Sequence, residues 1–410
     1  MAGLTASRTV PARFWLFFSA RTVSVLGNAF GPIALAFGVL ALPGTTPTTL
    51  GVVLAAQGVP QLGLLLLGGV VGDRFSRYRV LVSAELLSGT AYAGLAAMIL
   101  TGWAPIVMLC AAAFVAGAAS ALLLPSLTGA VVETVPGDSL QKANGLLRLG
   151  TNSARISGVV AAGATVAWLG PGVALAFDAA TYLVAAGLLS ALRLPASVRA
   201  NRRDLRGDLR VGWREFASRP WLWSTVAAAG VINAASTAAL GVLGPVLARD
   251  RLGGAMAWSL VLAGYAAGML VGVAVAIKFK PRRPLPVAIL FTPALALPLL
   301  ALGFVAPLPL VVLAAFGAGI AMDIFGVLWD TIMQTEVPAD ALSRVSSYEY
   351  LVSSSLKPAG ALVAGHVAVQ FGPAVGLLLF GGLMLLAAAG ALAHPAVRHH
   401  PPRPHPGVQS

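Results

Sequence analysis

The chain has 410 residues, of which 58% are hydrophobic and only 10% charged, with a formal net charge of +13. Soluble domains carry roughly 25% charged residues, so this composition excludes an ordinary soluble domain and makes the bilayer the natural solvent. An excess of basic residues can signal nucleic-acid binding, but the placement of these charges along the chain excludes that reading.

A spanning helix needs about 20 mainly apolar residues. Arg8 and Arg13 precede an apolar run that imitates the start of a signal peptide, but the run continues to about Leu42. That is longer than the roughly 7–15 residues of a signal h-region, so it reads as a first spanning helix over about 13–41. Further runs follow at about 48–71, 79–101, 105–129, 144–168 and 172–194, then at 221–247, 254–277, 285–305, 309–333, 346–370 and 373–393. The pattern predicts an all-α integral membrane protein of twelve helices. Small residues recur throughout, as helix contacts in lipid require; the short alternating strands of a β-barrel are absent from the pattern.

The domain organisation follows from the polar gaps. Residues 1–194 form one six-helix half, 195–220 a cytoplasmic linker, 221–393 a second half and 394–410 a Pro- and His-rich disordered tail. Twenty-one of the 27 basic residues fall at the termini or in the linkers after even-numbered helices, and only Arg249 and Arg251 fall on the other side. Basic residues stay on the cytoplasmic side, so both termini are expected inside and the protein in the cell membrane. The single cysteine, Cys110, has no partner for an intramolecular disulfide.

The halves repeat. Shifted by 202 positions, Val135-Pro136-x-Asp138-x-Leu140 lands on Val337-Pro338-x-Asp340-x-Leu342. With no gap, Ser153-x-Arg155-x-x-Gly158 lands on Ser355-x-Lys357-x-x-Gly360, and Gly170-Pro171 on Gly372-Pro373. Eleven of 37 aligned residues are identical. Two parallel halves about an axis along the membrane normal are a transporter architecture, with the binding site between them near the midplane.

Between the second and third helices stands "GGVVGDRFSRYRV". It resembles motif A of the major facilitator superfamily, with Gly69, Asp73, Arg74 and Arg77 matching and Val71, Ser76 and Tyr78 departing from it. "RTVSVLGNAFGPIALAF", "LPSLTGAVVETVPGDSLQKANGLL", "ARISGVVAAG" and "FDAATYLVAA" resemble its multidrug and macrolide-efflux branch, which includes siderophore exporters. The resemblance spans residues 10–393 and implies a transporter working by alternating access. Physically, the short loop makes a tight hairpin, and the Asp73 carboxylate suits the positive end of a facing helix. The resemblance points to the eleventh helix, expected to begin just after Arg344, as that partner. A cytoplasmic latch and a plain topology signal both remain open for this segment.

In the fifth helix Gly158 and Gly163 fit an antiporter glycine pattern, but Val159 replaces its proline. A charge in the bilayer centre costs at least about 2.5–3.5 kcal/mol, so each should be paired or functional. Arg21, Glu85, Arg148 and Glu349 lie near cytoplasmic helix ends; Arg155, Asp178, Asp323 and Lys357 lie deeper. Asp323 and Lys357 share a depth and are expected to pair, with Asp323 as the leading candidate for a coupling proton. Asp178 is expected to be structural, and His366 a packing residue.

No Gly-x-x-x-x-Gly-Lys-[Ser/Thr] loop occurs, so no nucleotide-driven pump is indicated, and no enzyme, cofactor or metal cluster is expected. The best reading is a proton-coupled exporter of amphipathic small molecules. Its partners are membrane lipid, substrate and protons, without nucleic acid, and it acts as a monomer. Export of an endogenous siderophore or antibiotic is the alternative, and a non-transporting scaffold on a carrier fold the third reading. The charge asymmetry predicts that, in intact cells, an impermeant thiol reagent labels a cysteine placed near Thr46 and spares one near Arg206; the reverse labelling overturns the orientation.

Overall fold

The computed structural model describes residues 11–64, 77–135, 140–192 and 205–400. Among these residues the ordered elements are helices. They are α1 (Ala12–Asn28), α2 (Phe30–Ala41), α3 (Pro47–Gly63), α4 (Arg77–Thr101), α5 (Ile106–Thr134), α6 (Leu140–Leu169) and α7 (Pro171–Ala191). Then come α8 (Leu205–Ala217), α9 (Pro220–Thr237), a π-helical turn (Ala238–Leu243), α10 (Gly244–Leu247) and a second π-helical turn (Ala248–Leu252). The remainder are α11 (Ala255–Lys278), α12 (Pro284–Phe291), a 3-10 turn (Thr292–Ala296), α13 (Leu297–Gly303), α14 (Leu308–Glu336), α15 (Ala339–Ser355), α16 (Lys357–Phe371), α17 (Pro373–Ala393) and α18 (Pro395–Arg398).

Nine helices among the described residues are long and apolar enough to cross a membrane, reading continuous runs such as Ala12–Ala41 and Pro220–Leu252 as single spans. The expected second, fifth and eleventh spans, now α3, α6 and α15–α16, are helical but are not among those nine. Large apolar side chains point outward, with Trp168 79%, Val107 76% and Leu386 72% exposed. A water-soluble protein would bury such a surface, and a bilayer solvates it.

The chain folds as two compact units. One comprises Met1–Pro43 with Ala56–Asn201, the other Gly44–Ala55 with Arg202–Ser410. The first turns of α3 therefore pack within the second unit, where the backbone of Thr48 lies against Gly365 of α16. Helix α8, inside the stretch expected as a linker, also belongs there: Phe216 is buried with Leu222, Val337 and Val345, and Gly212 packs on Arg344 and Tyr348.

The repeat is visible in the fold. Helices α7 and α17 have the same length and the 202-residue offset. Each starts at a proline after a glycine with positive φ, +87° at Gly170 and +82° at Gly372. That left-handed conformation favours glycine, and proline suits the first helical position, where no intrahelical N–H is needed. Each unit also builds a matching apolar cluster. Val135, Ala143 and Leu189 are buried together in the first, and Val337, Val345 and Ala391, 202 positions on, in the second.

Three boundaries differ from the sequence reading. The first span is broken at Ala29, because Pro32 has no N–H to continue the ladder. The seventh continues to Leu252, so Arg249 and Arg251 sit in its last π-helical turn rather than in a loop. The eleventh begins at Ala339, capped by Pro338, so Arg344 lies inside α15 and not just before it.

Helix crossings rest on glycine. A Cβ at Gly158 would sit 2.6 Å from the Leu26 carbonyl oxygen of α1, and one at Gly360 would overlap the Ala234 carbonyl oxygen of α9. Gly145 has open space around it. Gly158→Ala and Gly360→Ala should therefore each destabilise by about 1–3 kcal/mol, the usual cost of overpacking, while Gly145→Ala should be neutral or stabilising. Thermal unfolding of the three purified variants checks the order.

Candidate functional site

The second unit encloses a cavity of about 430 Å³. Its wall is mostly apolar and aromatic: Trp258 and Tyr265 from α11, Leu299 from α13, Phe325 and Trp329 from α14. The Phe325 and Trp329 rings stack at 6.0 Å, and Trp221 meets Trp329 edge-on at 6.1 Å, which stiffens this side. A small polar set shares the lining: Asn233 of α9, Asp330 of α14, Glu349, Tyr350, Ser353 and Ser354 of α15, and Lys357. Apolar walls with a few placed polar groups are the usual makeup of a small-molecule site.

The break between α15 and α16 positions the polar set. Leu356 ends one helix and caps the next, and Pro358 occupies the first turn of α16. Lys357 thus stands at the break, its Nζ 5.6 Å from the Tyr350 ring centroid. Glu349 interacts electrostatically with both Lys357 and Asp330. The Asn233 Nδ2 amide donates to the Ser353 carbonyl over 2.9 Å and ties α9 to the broken helix.

The first unit carries a separate polar cluster. Ser24 of α1 donates to both oxygens of Glu85 of α4, at 3.0 and 3.2 Å, and Glu85 is buried. Arg21, one turn earlier on α1, interacts electrostatically with Glu85, Tyr182 and Arg155. Beyond Glu85 the Tyr92 and Tyr182 rings stack at 5.5 Å, Gln57 donates to the Tyr92 hydroxyl, and Asp178 is fully buried.

The sequence candidates therefore divide. Arg21, Glu85 and Asp178 share the first-unit cluster, with Arg155 at its edge and exposed. Gly158 serves the α1 crossing, and Gly163 is buried on the same helix. Lys357 lines the second-unit cavity, but Asp323, expected beside it, does not line that cavity. Asp323 turns to α11 instead, its Cβ against Gly272 and its charge felt by Tyr265. Lys357 is met by Glu349, a residue the sequence placed near the cytoplasmic end, because the break at Leu356 carries both to one wall. Of the latch residues, Gly69, Asp73 and Arg74 lie outside the described residues, Arg77 opens α4, and Arg344 packs on α8. His366 bonds through Nδ1 to the Leu362 carbonyl on its own helix.

The family model of the Major Facilitator Superfamily matches residues 14–356. The chain belongs to the Major Facilitator Superfamily. It is a multi-pass membrane transporter. It is 26% identical over 404 residues to the enterobactin exporter EntS of Shigella dysenteriae serotype 1 (strain Sd197), covering 94% of each chain. It is also 26% identical over 301 residues to the uncharacterized MFS-type transporter YvqJ of Bacillus subtilis (strain 168), covering 71% of each. Among solved structures, the nucleoside transporter NupG superposes with a TM-score of 0.76 at 12% identity, over 93% of this chain and 99% of that one. A bacterial homologue of the human lysosomal transporter Spinster superposes with a TM-score of 0.71 at 15% identity, over 95% and 98%. These likenesses carry the superfamily fold.

Within that fold, sequence reasoning missed the aromatic wall and the role of Asn233, Glu349 and Tyr350. Spacing carries no sign of them, because they meet from four different helices, α9, α11, α14 and α15. The charge balance of the cavity gives a test. Removing only the lysine leaves Glu349 facing Asp330 with like charge, so Lys357→Gln should lower folded yield and thermal stability more than Glu349→Gln/Lys357→Gln does. Equal losses in the single and double variants would mean that Glu349 and Lys357 are not energetically coupled.

Proposed function

We propose that this transporter is a proton-coupled exporter of amphipathic small molecules, working by alternating access of twelve spans with both termini in the cytoplasm. The observation that carries it is the second-unit cavity: an aromatic and aliphatic wall facing one compact charged set, Glu349, Asp330 and Lys357. Such a wall favours large apolar bodies, and the polar set is too sparse to replace the hydration shell of a sugar or a free amino acid. The likeness over 94% of the length to an enterobactin exporter supports export as the direction.

A second reading, export of an endogenous siderophore, rests on the likeness to that enterobactin exporter. On either reading energy comes from the proton gradient with no bound cofactor, and the protein acts as a monomer in the cell membrane. The motif A segment with Arg344 serves as the cytoplasmic latch.

The test is transport in proteoliposomes. With an imposed pH gradient, an amphipathic dye such as ethidium should be moved against its own concentration gradient, and collapsing the pH gradient should abolish the movement. A catecholate siderophore offered in parallel separates the two readings. Dye movement that persists unchanged without the pH gradient would overturn proton coupling, and movement of neither compound would overturn export of both classes.

A further inference from the structure

The first unit buries a carboxyl group that takes no part in the second-unit cavity. Asp178 on α7 is 0% exposed, and neither of its side-chain oxygens has a hydrogen-bond partner among the described residues. Packing does not require an acid at this place: 202 positions on, at the same register of α17, stands the buried Phe380. An ionised carboxylate without partners is far too costly to bury, and a buried acid left in such a site holds its proton instead.

The surroundings join this group to a helix that is already broken. The first span is interrupted at Ala29, between α1 and α2. On either side of the break, Gly27 and Gly31 lie against the turn of α7 that runs from Asp178 to Thr181. A Cβ at Gly27 would overlap Thr181; one at Gly31 would sit 2.8 Å from Asp178 Oδ2 and 3.0 Å from the Tyr92 hydroxyl. Glycine at 31 therefore leaves a gap, free of side chain, between the carboxyl and the phenol. Tyr92 already accepts a bond from Gln57 Nε2, 3.3 Å away, so its own O–H is left to donate elsewhere. Gln57 is half-buried.

The charged groups around Asp178 do not neutralise it. Glu85 on α4 interacts with it as a like charge. Tyr92 on α4 and Tyr182 on α7 are phenols that feel its field. Arg21 on α1 acts on Glu85 and Tyr182, Arg155 on α6 lies beyond Arg21, and α2 has no ionisable side chain.

We propose that Asp178 is a proton-binding group of the transport cycle, and that its loss of the proton opens the first span at the Ala29 break. This rests on the exporter reading and places the proton in the first unit, apart from the substrate cavity of the second. In the packing described here Asp178 carries the proton and α2 closes over it. When the O–H bond breaks, the proton passes to water admitted where α2 parts from α7. The carboxylate left behind must then gain donors, which requires α2 to swing away from α7. The broken first helix is the element with two arrangements that such coupling needs.

The experiment has two arms. In infrared difference spectra of the purified protein at neutral pH, the carbonyl stretch of a protonated carboxylic acid should be present and should vanish in Asp178→Asn. A spectrum that Asp178→Asn leaves unchanged would overturn the proposal. In proteoliposomes, Asp178→Asn should lose pH-driven uphill ethidium efflux yet keep downhill exchange. Uphill efflux at the wild-type level would overturn it. Gly31→Ala retains the carboxyl but fills the gap, and should weaken uphill efflux several-fold more than exchange; if Asp178→Asn does not fold, this variant and the wild-type spectrum at low and high pH decide. Wild-type protein that moves no dye in either direction fails the exporter reading, and the infrared band still decides whether Asp178 holds a proton.

Discussion

The close approach of helix backbones at glycine is the constraint on which the rest of this transporter depends. In lipid the apolar surface of one helix gains little by touching another, so association relies on contact and packing. Gly158 lets α6 reach the Leu26 carbonyl, Gly360 lets α16 reach that of Ala234, and Gly268 and Gly319 do the same reciprocally for α11 and α14. These crossings bring the polar groups of neighbouring helices within reach. The α1–α6 crossing holds Ser24 and Arg21 at the level of Glu85, and the α9–α16 crossing holds Asn233 at the break where Lys357 stands.

On this shared frame the two units carry different chemistry. Their scaffold positions match at a constant offset, including the glycine–proline starts of α7 and α17 and the Val135 and Val337 clusters. Their charged positions do not. Leu147 is buried in the apolar cluster of the first unit, and Glu349 at the same register lines the cavity of the second. Asp178 is buried in the first, and Phe380 takes its place in the second. The repeat thus preserves packing, while one unit holds a cavity and the other a buried cluster of acids and phenols.

Both polar regions sit at a break in a helix. An unbroken helix satisfies its own backbone and turns a fixed stripe of side chains to each neighbour. At Ala29 the first span departs from this, and Gly27 and Gly31 present bare backbone to Asp178 and Thr181. At Leu356 the eleventh departs from it, and Glu349, Tyr350 and Lys357 reach one wall. Irregular backbone at membrane depth is tolerated where protein or a cavity surrounds it, and it marks the binding regions of transporters.

The membrane class, the helical runs, the repeat and the family resemblance are legible in the residues alone, because each is a local or periodic property. Hydropathy over about 20 residues reports the solvent of a segment, and the ordered Pro, Asp, Ser and Gly series from Val135 and Val337 survives without coordinates. The list of intramembrane charges was legible for the same reason. Their partners were not. Depth along a helix is readable from residue counts, but azimuth across a break is not, so Asp323 and Lys357 looked paired while the fold turns one to α11 and the other to Glu349. The surroundings of Asp178 are equally illegible, because its place along the helix can be counted but its neighbours cannot. Only the tertiary structure shows that α1, α2 and α4 close around it without offering its carboxyl a single hydrogen bond among the described residues.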